Sequence, residues 1–533
     1  MTRELLGRES GTVLKEPGGR VRVVLAYPNE YSIGMSSLGY QGVYAMLNAR
    51  ADVFCERVFL PSRENMEEHE RTSTELFSLE TQTPLSSFDV IAFSVSFEND
   101  YPNILRMLKL AKVPFRSSDR SDKYPLLALG GVCAFSNPEP LADFFDICFI
   151  GEAEEMLPEF MDIYTSGFKR DELLLKASKV EGIYVPGFYD IKYSDDGGIV
   201  SRKPMEGIRD IIKRRFIDDI AKEPLTPLIT APDAEFSSML LVEAMRGCPW
   251  SCNFCLAGHV YNPPRYKPEE VLCAEIAPAA KVGQKVGLIA PSLSDYPHRD
   301  KVLATEGVSF SITSLRASPK SAEMVKILKG HKSISIAPEA GSQRLRDAIN
   351  KKITKGSIID TARMLFDNGL KNLRLYFMLG LPGETLEDVE AIPALVREIR
   401  AVSQLGKISL TLSIFVPKPF TPYQWQPMLD AKELNRRARV VKDGLRGVHG
   451  MQISTESPRM AHMQGFFAQG DRRLSFVLEK MVDGVSYNKA AKAVGLDPEW
   501  FIHRKKGLDE MLPWGFIDSG IEFGELWKTG NGK

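Results

Sequence analysis

Met239-Leu240-Leu241-Val242-Glu243-Ala244-Met245-Arg246-Gly247-Cys248-Pro249-Trp250-Ser251-Cys252-Asn253-Phe254-Cys255 decides the reading of this chain. An apolar run of strand length, 239–244, ends in a Gly turn and delivers three cysteines in C-x3-C-x2-C spacing. That spacing puts three thiolates in one short loop, close enough to grip a single compact inorganic centre. An iron–sulfur cube usually takes four thiolates. A loop offering three leaves one iron open to a small chelating ligand. A structural zinc site would ask for four closed ligands. The nearest fourth donor is His259, and no second ligand pair follows.

Downstream, short apolar runs alternate with helical stretches. Strands are expected at 286–290, 309–313, 333–337, 373–378 and 408–414. With 239–244 they make six parallel strands, the pattern of a partial (β/α)6 barrel, whose chemistry sits at the carboxyl ends of its strands. Several polar groups fall at such ends. Glu339 follows a strand and precedes a helix that Ser342 would cap, with Arg344 as the plain ion-pair alternative. Arg316 has a planar fork suited to a carboxylate. Gly380-Leu381-Pro382-Gly383-Glu384-Thr385 is a tight turn where backbone could approach a ring. Lys418, in Pro417-Lys418-Pro419, could cover the barrel mouth near a substrate.

Upstream, strands at 21–27, 53–60, 90–95, 126–129 and 147–150 alternate with helices at 37–48 and 104–112, the signature of a doubly wound, Rossmann-like parallel sheet. Each strand ends in a small or polar loop, including Gly130-Gly131 and Gly151-Glu152. Ligands of open α/β sheets bind at these ends. G-x-G-x-x-G is absent after the first strand, and no G-x-x-x-x-G-K-[ST] occurs, which argues against dinucleotide and P-loop sites.

Cys248, Cys252 and Cys255, with the aromatic Phe254 before the third cysteine, resemble the radical S-adenosylmethionine (SAM) superfamily. Leu315-Arg316-Ala317-Ser318, Ala337-Pro338-Glu339-Ala340-Gly341-Ser342-Gln343-Arg344-Leu345-Arg346, Leu375-Tyr376-Phe377-Met378-Leu379-Gly380-Leu381-Pro382, 415–425, Gly470-Asp471-Arg472-Arg473 and 512–517 follow in order. Together they resemble the family of B12-binding-domain radical SAM proteins over nearly the whole chain. The resemblance implies a [4Fe-4S] cluster on the three cysteines and SAM on its open iron. It also implies a reductant such as flavodoxin or ferredoxin, and a cobalamin in the first domain. It puts Phe254 beside adenine, Glu339 on the ribose or amino group, and Arg316, Gly380 and Pro382 around SAM. Ser294 and Asp295 stand where the superfamily has a Gly-Gly-Glu stretch, a departure. Gly130, Gly131, Gly151 and Glu152 are in the places the cobalamin branch uses. No D-x-H-x-x-G occurs, and His69 is the only histidine before residue 259. Phe420 stands where the family often shows His.

The implied chemistry is reductive cleavage of SAM, hydrogen abstraction by a 5′-deoxyadenosyl radical and, with cobalamin, methyl transfer to an unknown substrate. Rearrangement and cyclisation stay open. The rival readings are cobalamin-independent modification of RNA or protein, and a non-enzymatic cluster protein.

The 533 residues divide into an α/β domain at 1–165, a bridging segment at 166–236, the barrel at 237–455 and a small, mostly helical region at 456–533. The bridge is expected to form a small hairpin from 183–188 and 190–193, with turn chemistry at Asp195-Asp196-Gly197-Gly198. Its basic run 209–215 reads as a solvated face. Seven cysteines in no regular framework argue against a disulfide scaffold, so Cys55, Cys133, Cys148 and Cys273 read as core. A charged N-terminus and no run of ~18 apolar residues point to a cytoplasmic protein without a membrane span. A net charge of −1 gives no overall pull toward nucleic acid or anionic lipid.

Overall fold

A computed structural model describes residues 2–222, 225, 227–236, 239–312, 314–321, 324 and 332–531. The first sheet holds β1 (Val21–Tyr27), β2 (Val53–Phe59), β3 (Val90–Ser94), β4 (Leu126–Gly130) and β5 (Ile147–Phe149), parallel in the order 2-1-3-4-5. A short β6 (Ile183–Tyr184) runs antiparallel outside β5. Alternate residues explain the double winding. Val23 and Leu25 enter one core, with Tyr40 and Tyr44 of the helix Leu38–Ala49. Val24 and Ala26 enter the other, with Ile104 and Leu108 of the helix Tyr101–Leu110. Burying each such side chain stabilises the fold by roughly 1.5–3 kcal/mol. β6 belongs to this sheet although it lies past the expected boundary at 165, in a stretch expected to form the hairpin of the bridge.

In the bridge, β7 (Tyr189–Tyr193) and β8 (Ile199–Pro204) form a hairpin around the expected turn at 195–198, but the expected strand 183–188 is not part of it, because Ile183–Tyr184 pairs with β5 instead. β9 (Ile212–Lys213) leads to Arg214, which is buried and donates to the carbonyls of Val260 at 2.6 Å and Asn262 at 2.8 Å. The run 209–215 is therefore not simply a solvated face: Arg214 joins the bridge to the cysteine loop.

The second half is a parallel barrel in two hydrogen-bonded stretches. β10 (Leu240–Glu243) is followed by β11 (Met245–Arg246) and β12 (Arg265–Tyr266), an antiparallel pair framing the cysteine loop. β10 pairs with β13 (Lys285–Ile289), and β13 with β14 (Ser309–Ser311). β15 (Ser314–Leu315), β16 (Ser333–Glu339), β17 (Asn372–Leu379), β18 (Lys407–Ile414) and β19 (Met451–Thr455) complete it. Thr313, where the third strand was expected to end, lies outside the described residues. β19 is a strand beyond the six expected; its sequence Met451-Gln452-Ile453-Ser454-Thr455 is half polar and half exposed, an edge pattern. Helices such as Glu269–Val282, Lys355–Asp367 and Leu386–Ala401 cover the outside.

Helices from Pro458–Gln469 to Phe523–Asn531 form the C-terminal region, and β20 (Ile517–Asp518) pairs with β9. Trp514 and Trp425 are fully buried there, and Trp514 Nε1 donates to Gln424 Oε1 at 2.7 Å. Asn137 Nδ2 donates to the carbonyls of Ala468 at 3.1 Å and Gly470 at 2.8 Å, seating this region on the first domain. Among the described residues no helix is long and apolar enough to cross a membrane.

Candidate functional site

The cysteine loop is held at both ends. At its start Gly247 has φ +81°, and a Cβ there would strike the Tyr261 carbonyl, so the turn requires glycine. Beside it Arg246 is buried between Glu152 at 2.8 Å, Glu154 at 2.7 Å and Glu243 at 2.8 Å. Burial opposes its charge, but the three carboxylates outweigh that and raise its pKa. Mid-loop, Asn253 N donates to Ile349 O and Asn253 Nδ2 to Ala348 O, both at 3.0 Å. Asn350 Nδ2 returns a bond to Ser251 O at 2.7 Å. The segment 348–351 thus acts as a splint for the cysteines.

Cys248, Cys252, Cys255 and Phe254 line one cavity of about 500 Å³, with Arg316 and Glu339 among its other walls. Burial pushes the Cys248 thiol up and the Cys255 thiol up to about 11. Metal loading must therefore displace protons, as thiolate ligation does in general. Among the described residues no three His, Cys, Asp or Glu side chains gather closely enough for one ion. Three thiolates lining one cavity suit a polynuclear centre, where each sulfur takes its own iron. His259 is not among the residues that line this cavity. It is buried, and its Nδ1 sits 2.8 Å from Cys255 O.

The other walls are ordered by ion pairs and stacking. Glu339 stands at the end of β16 with φ +66° and is 2.9 Å from Lys351 Nζ, while Arg344 pairs instead with Asp388. Burial disfavours the Lys351 charge, but Glu339 and the nearby Cys252 raise its pKa overall. Arg316 lies over the Trp250 ring, 3.8 Å from its centroid, and donates to the Lys351 carbonyl. Trp250 Nε1 donates to Asp295 Oδ2 at 2.6 Å, which also accepts from Ser292 Oγ at 2.7 Å.

Other residues named from sequence fall elsewhere. Ser294 is buried and outside the cavity walls, which at this strand end are Pro291, Ser292 and Leu293. Gly380 and Pro382 also lie outside these walls. The Gly380 amide donates to Glu384 Oε1, whose carboxylate pairs with Arg437, so the turn is organised from within. Lys418 reaches Glu98 at 2.5 Å and is a link between barrel and first domain.

In the first domain Gly130, Gly131 and Gly151 border an apolar cavity of only about 80 Å³. A Cβ on Gly131 would strike Val95 backbone, and one on Gly151 would strike Arg215 backbone. Chain already fills the space at these turns. Glu152 is engaged by Arg246 and by Arg265 at 2.6 Å, with the Ile217 amide 3.1 Å away. These four positions form no cradle for a corrin ring.

Lys351, Arg374 and Tyr376 line the cavity without having been singled out. Lys351 has no sequence signal, because its role depends on the fold bringing 348–351 to the cysteines. Arg374 and Tyr376 had one: they interrupt the apolar strand β17 at alternate positions.

Residues 39–186 match the family model "Radical SAM proteins, N-terminal", and residues 242–396 match that of the radical SAM superfamily. An uncharacterised protein of Methanocaldococcus jannaschii is 28% identical over 477 residues, 88% of this chain and 93% of that one. A tRNA-2-methylthio-N(6)-dimethylallyladenosine synthase of Sorangium cellulosum is 25% identical over 223 residues, 36% of this chain and 44% of that one. The cobalamin-dependent SAM radical enzyme OxsB, with aqua-cobalamin and SAM bound, superposes with TM-score 0.49 at 15% identity over 89% of this chain and 70% of its own. With aqua-cobalamin bound, OxsB gives TM-score 0.47 at 17% identity over 70% of this chain and 52% of that chain.

Proposed function

From its two radical SAM domains, at 39–186 and 242–396, we propose that this protein is an enzyme that cleaves SAM reductively and uses the resulting radical on a bound substrate. The observation that carries this reading is the single cavity shared by Cys248, Cys252, Cys255, Phe254, Arg316 and Glu339. A [4Fe-4S] cluster on the three thiolates supplies one-electron cleavage of SAM to methionine and a 5′-deoxyadenosyl radical. The protein's part is to bind and orient. Glu339 offers a carboxylate to the amino group or ribose, and Arg316, braced on Trp250, offers a planar cation to the carboxylate. Phe254 packs beside Ala340, Leu345 and Met378 and presents its ring toward adenine. Lys351 holds Glu339 in place through their ion pair. A reductant such as flavodoxin or ferredoxin completes the reaction.

Cobalamin-dependent methylation is the finer proposal. It rests on the sheet order 2-1-3-4-5, whose reversal between β1 and β3 opens a crevice at their carboxyl ends. Ile33, in the short helix Tyr31–Gly34 after β1, and Phe97, after β3, are 39% and 41% exposed. The filled turns at Gly131 and Gly151 do not support it. The second reading, cobalamin-free modification of RNA or protein, is favoured by the stretch shared with the tRNA-modifying synthase. Protein produced with cobalamin available, reconstituted anaerobically and then extracted, separates the two. Cluster absorbance with stoichiometric corrinoid supports methylation. Cluster absorbance without corrinoid removes it, and no cluster at all removes the radical SAM reading.

A further inference from the structure

β17 divides its side chains cleanly. Leu373, Leu375, Phe377 and Leu379 are buried in the outer core, while Arg374 and Tyr376 face the cavity. A cation inside a barrel normally has a carboxylate waiting for it. Arg374 has none: its cross-strand neighbours are Ser335 on β16 and Ser409 on β18. Ser409 Oγ instead donates to Asn372 Oδ1 at 3.0 Å. Among the described residues no protein group takes a hydrogen bond from Arg374, and its Nε is buried without a partner. The other two cations on the cavity wall are committed, Lys351 to Glu339 and Arg316 to Trp250 and the Lys351 carbonyl. A guanidinium nitrogen buried without a partner is costly, and the fork of this half-buried arginine matches carboxylate or phosphate in two parallel hydrogen bonds.

We propose that Arg374 is the anchor for an anionic group, carboxylate or phosphate, of a small-molecule substrate held inside the barrel. The proposal rests on the radical SAM reading for the word substrate, not for the binding site. Depth along the strand separates this anion from the carboxylate of SAM. Glu339 is level with Phe377, so Arg374, three residues earlier, lies roughly 10 Å deeper in the barrel at ~3.3 Å per residue. The cysteines stand at the carboxyl end, where SAM must chelate. Tyr376 lies between the two levels and offers its phenol to the body of the ligand. An anion fixed at Arg374 therefore leaves the rest of the molecule pointing up toward the radical.

The test uses the full chain, with and without reconstituted cluster, titrated with inorganic phosphate and with acetate while thermal unfolding and intrinsic fluorescence are followed. Wild type should show a saturable response to one of them, at least tenfold weaker in Arg374→Gln and partly kept in Arg374→Lys. A stronger response to phosphate assigns a phosphoryl group; a stronger response to acetate assigns a carboxylate. In parallel, phenylglyoxal should label Arg374 in wild type, with labelling slowed by the same anion while labelling of the exposed Arg63 is not. That arm needs no variant to fold. No response in wild type, an equal response in Arg374→Gln, or unprotected labelling overturns the proposal, as does protection by a short RNA alone. SAM cleavage is assayed separately. If it fails while Arg374-dependent binding stands, the functional reading is lost and the anion site is kept.

Discussion

Lys351 Nζ lies 2.9 Å from Glu339 Oε1, and the main chain of the same lysine accepts from Arg316. One residue thus sets two walls of the cavity. Glu339→Gln should weaken SAM binding about tenfold, equivalent to ~1.4 kcal/mol, and should lower stability because the largely shielded Lys351 is left without its counter-charge. The double variant Glu339→Gln with Lys351→Met should recover that stability while SAM affinity stays low. Calorimetric titration and denaturant unfolding check both. Equal recovery of affinity and stability would deny Glu339 a ligand role.

Arg246 serves three carboxylates from two parts of the chain, Glu152 and Glu154 of the first domain and Glu243 of β10. Arg246→Met leaves Glu154 and Glu243 in a buried site without their cation, while Glu152 keeps Arg265. Unfolding free energy should fall by about 3–5 kcal/mol. Arg246→Lys should recover little, since a point charge cannot satisfy three acceptors in a fork arrangement. Denaturant midpoints measure both.

Much of this was readable from the chain. Strand β17 and the cysteine loop announce themselves by period and spacing, and Arg316 and Glu339 by position just past strands. The partners were not readable. Lys351 pairs with Glu339 only because Asn253 and Asn350 splint 348–351 to the cysteine loop. Gly151 looks like a ligand turn in sequence, yet it is small because Arg215 passes against it. Close approach of a ligand and close approach of another strand ask for the same residue. Gly380-Leu381-Pro382 shows the same ambiguity: a tight turn that its own Glu384 organises. β19 was invisible because five residues with alternating polar ones carry too little pattern, and at 183–188 the strand character was legible while its long-range pairing with β5 was not.

Lys506 is buried, with Nζ donating to Phe501 O at 2.8 Å, and burial together with the neighbouring Arg504 brings its pKa down to about 7. The unfolded lysine titrates near ~10.4. Between these values the unfolded chain binds a proton that the folded chain does not, so stability falls as pH drops from about 10 to 7 and levels off below. Lys506→Met should flatten that slope and stabilise the protein at pH 7, as denaturant midpoints across the range will show. A slope unchanged in Lys506→Met would contradict the assignment.

The most direct measurement of the central claim is product analysis after anaerobic reduction of reconstituted protein with SAM. Wild type should release 5′-deoxyadenosine and methionine in equal amounts. Cys248→Ala, Cys252→Ala and Cys255→Ala should each release neither. A wild-type protein that carries its cluster yet leaves SAM intact under these conditions would contradict the account.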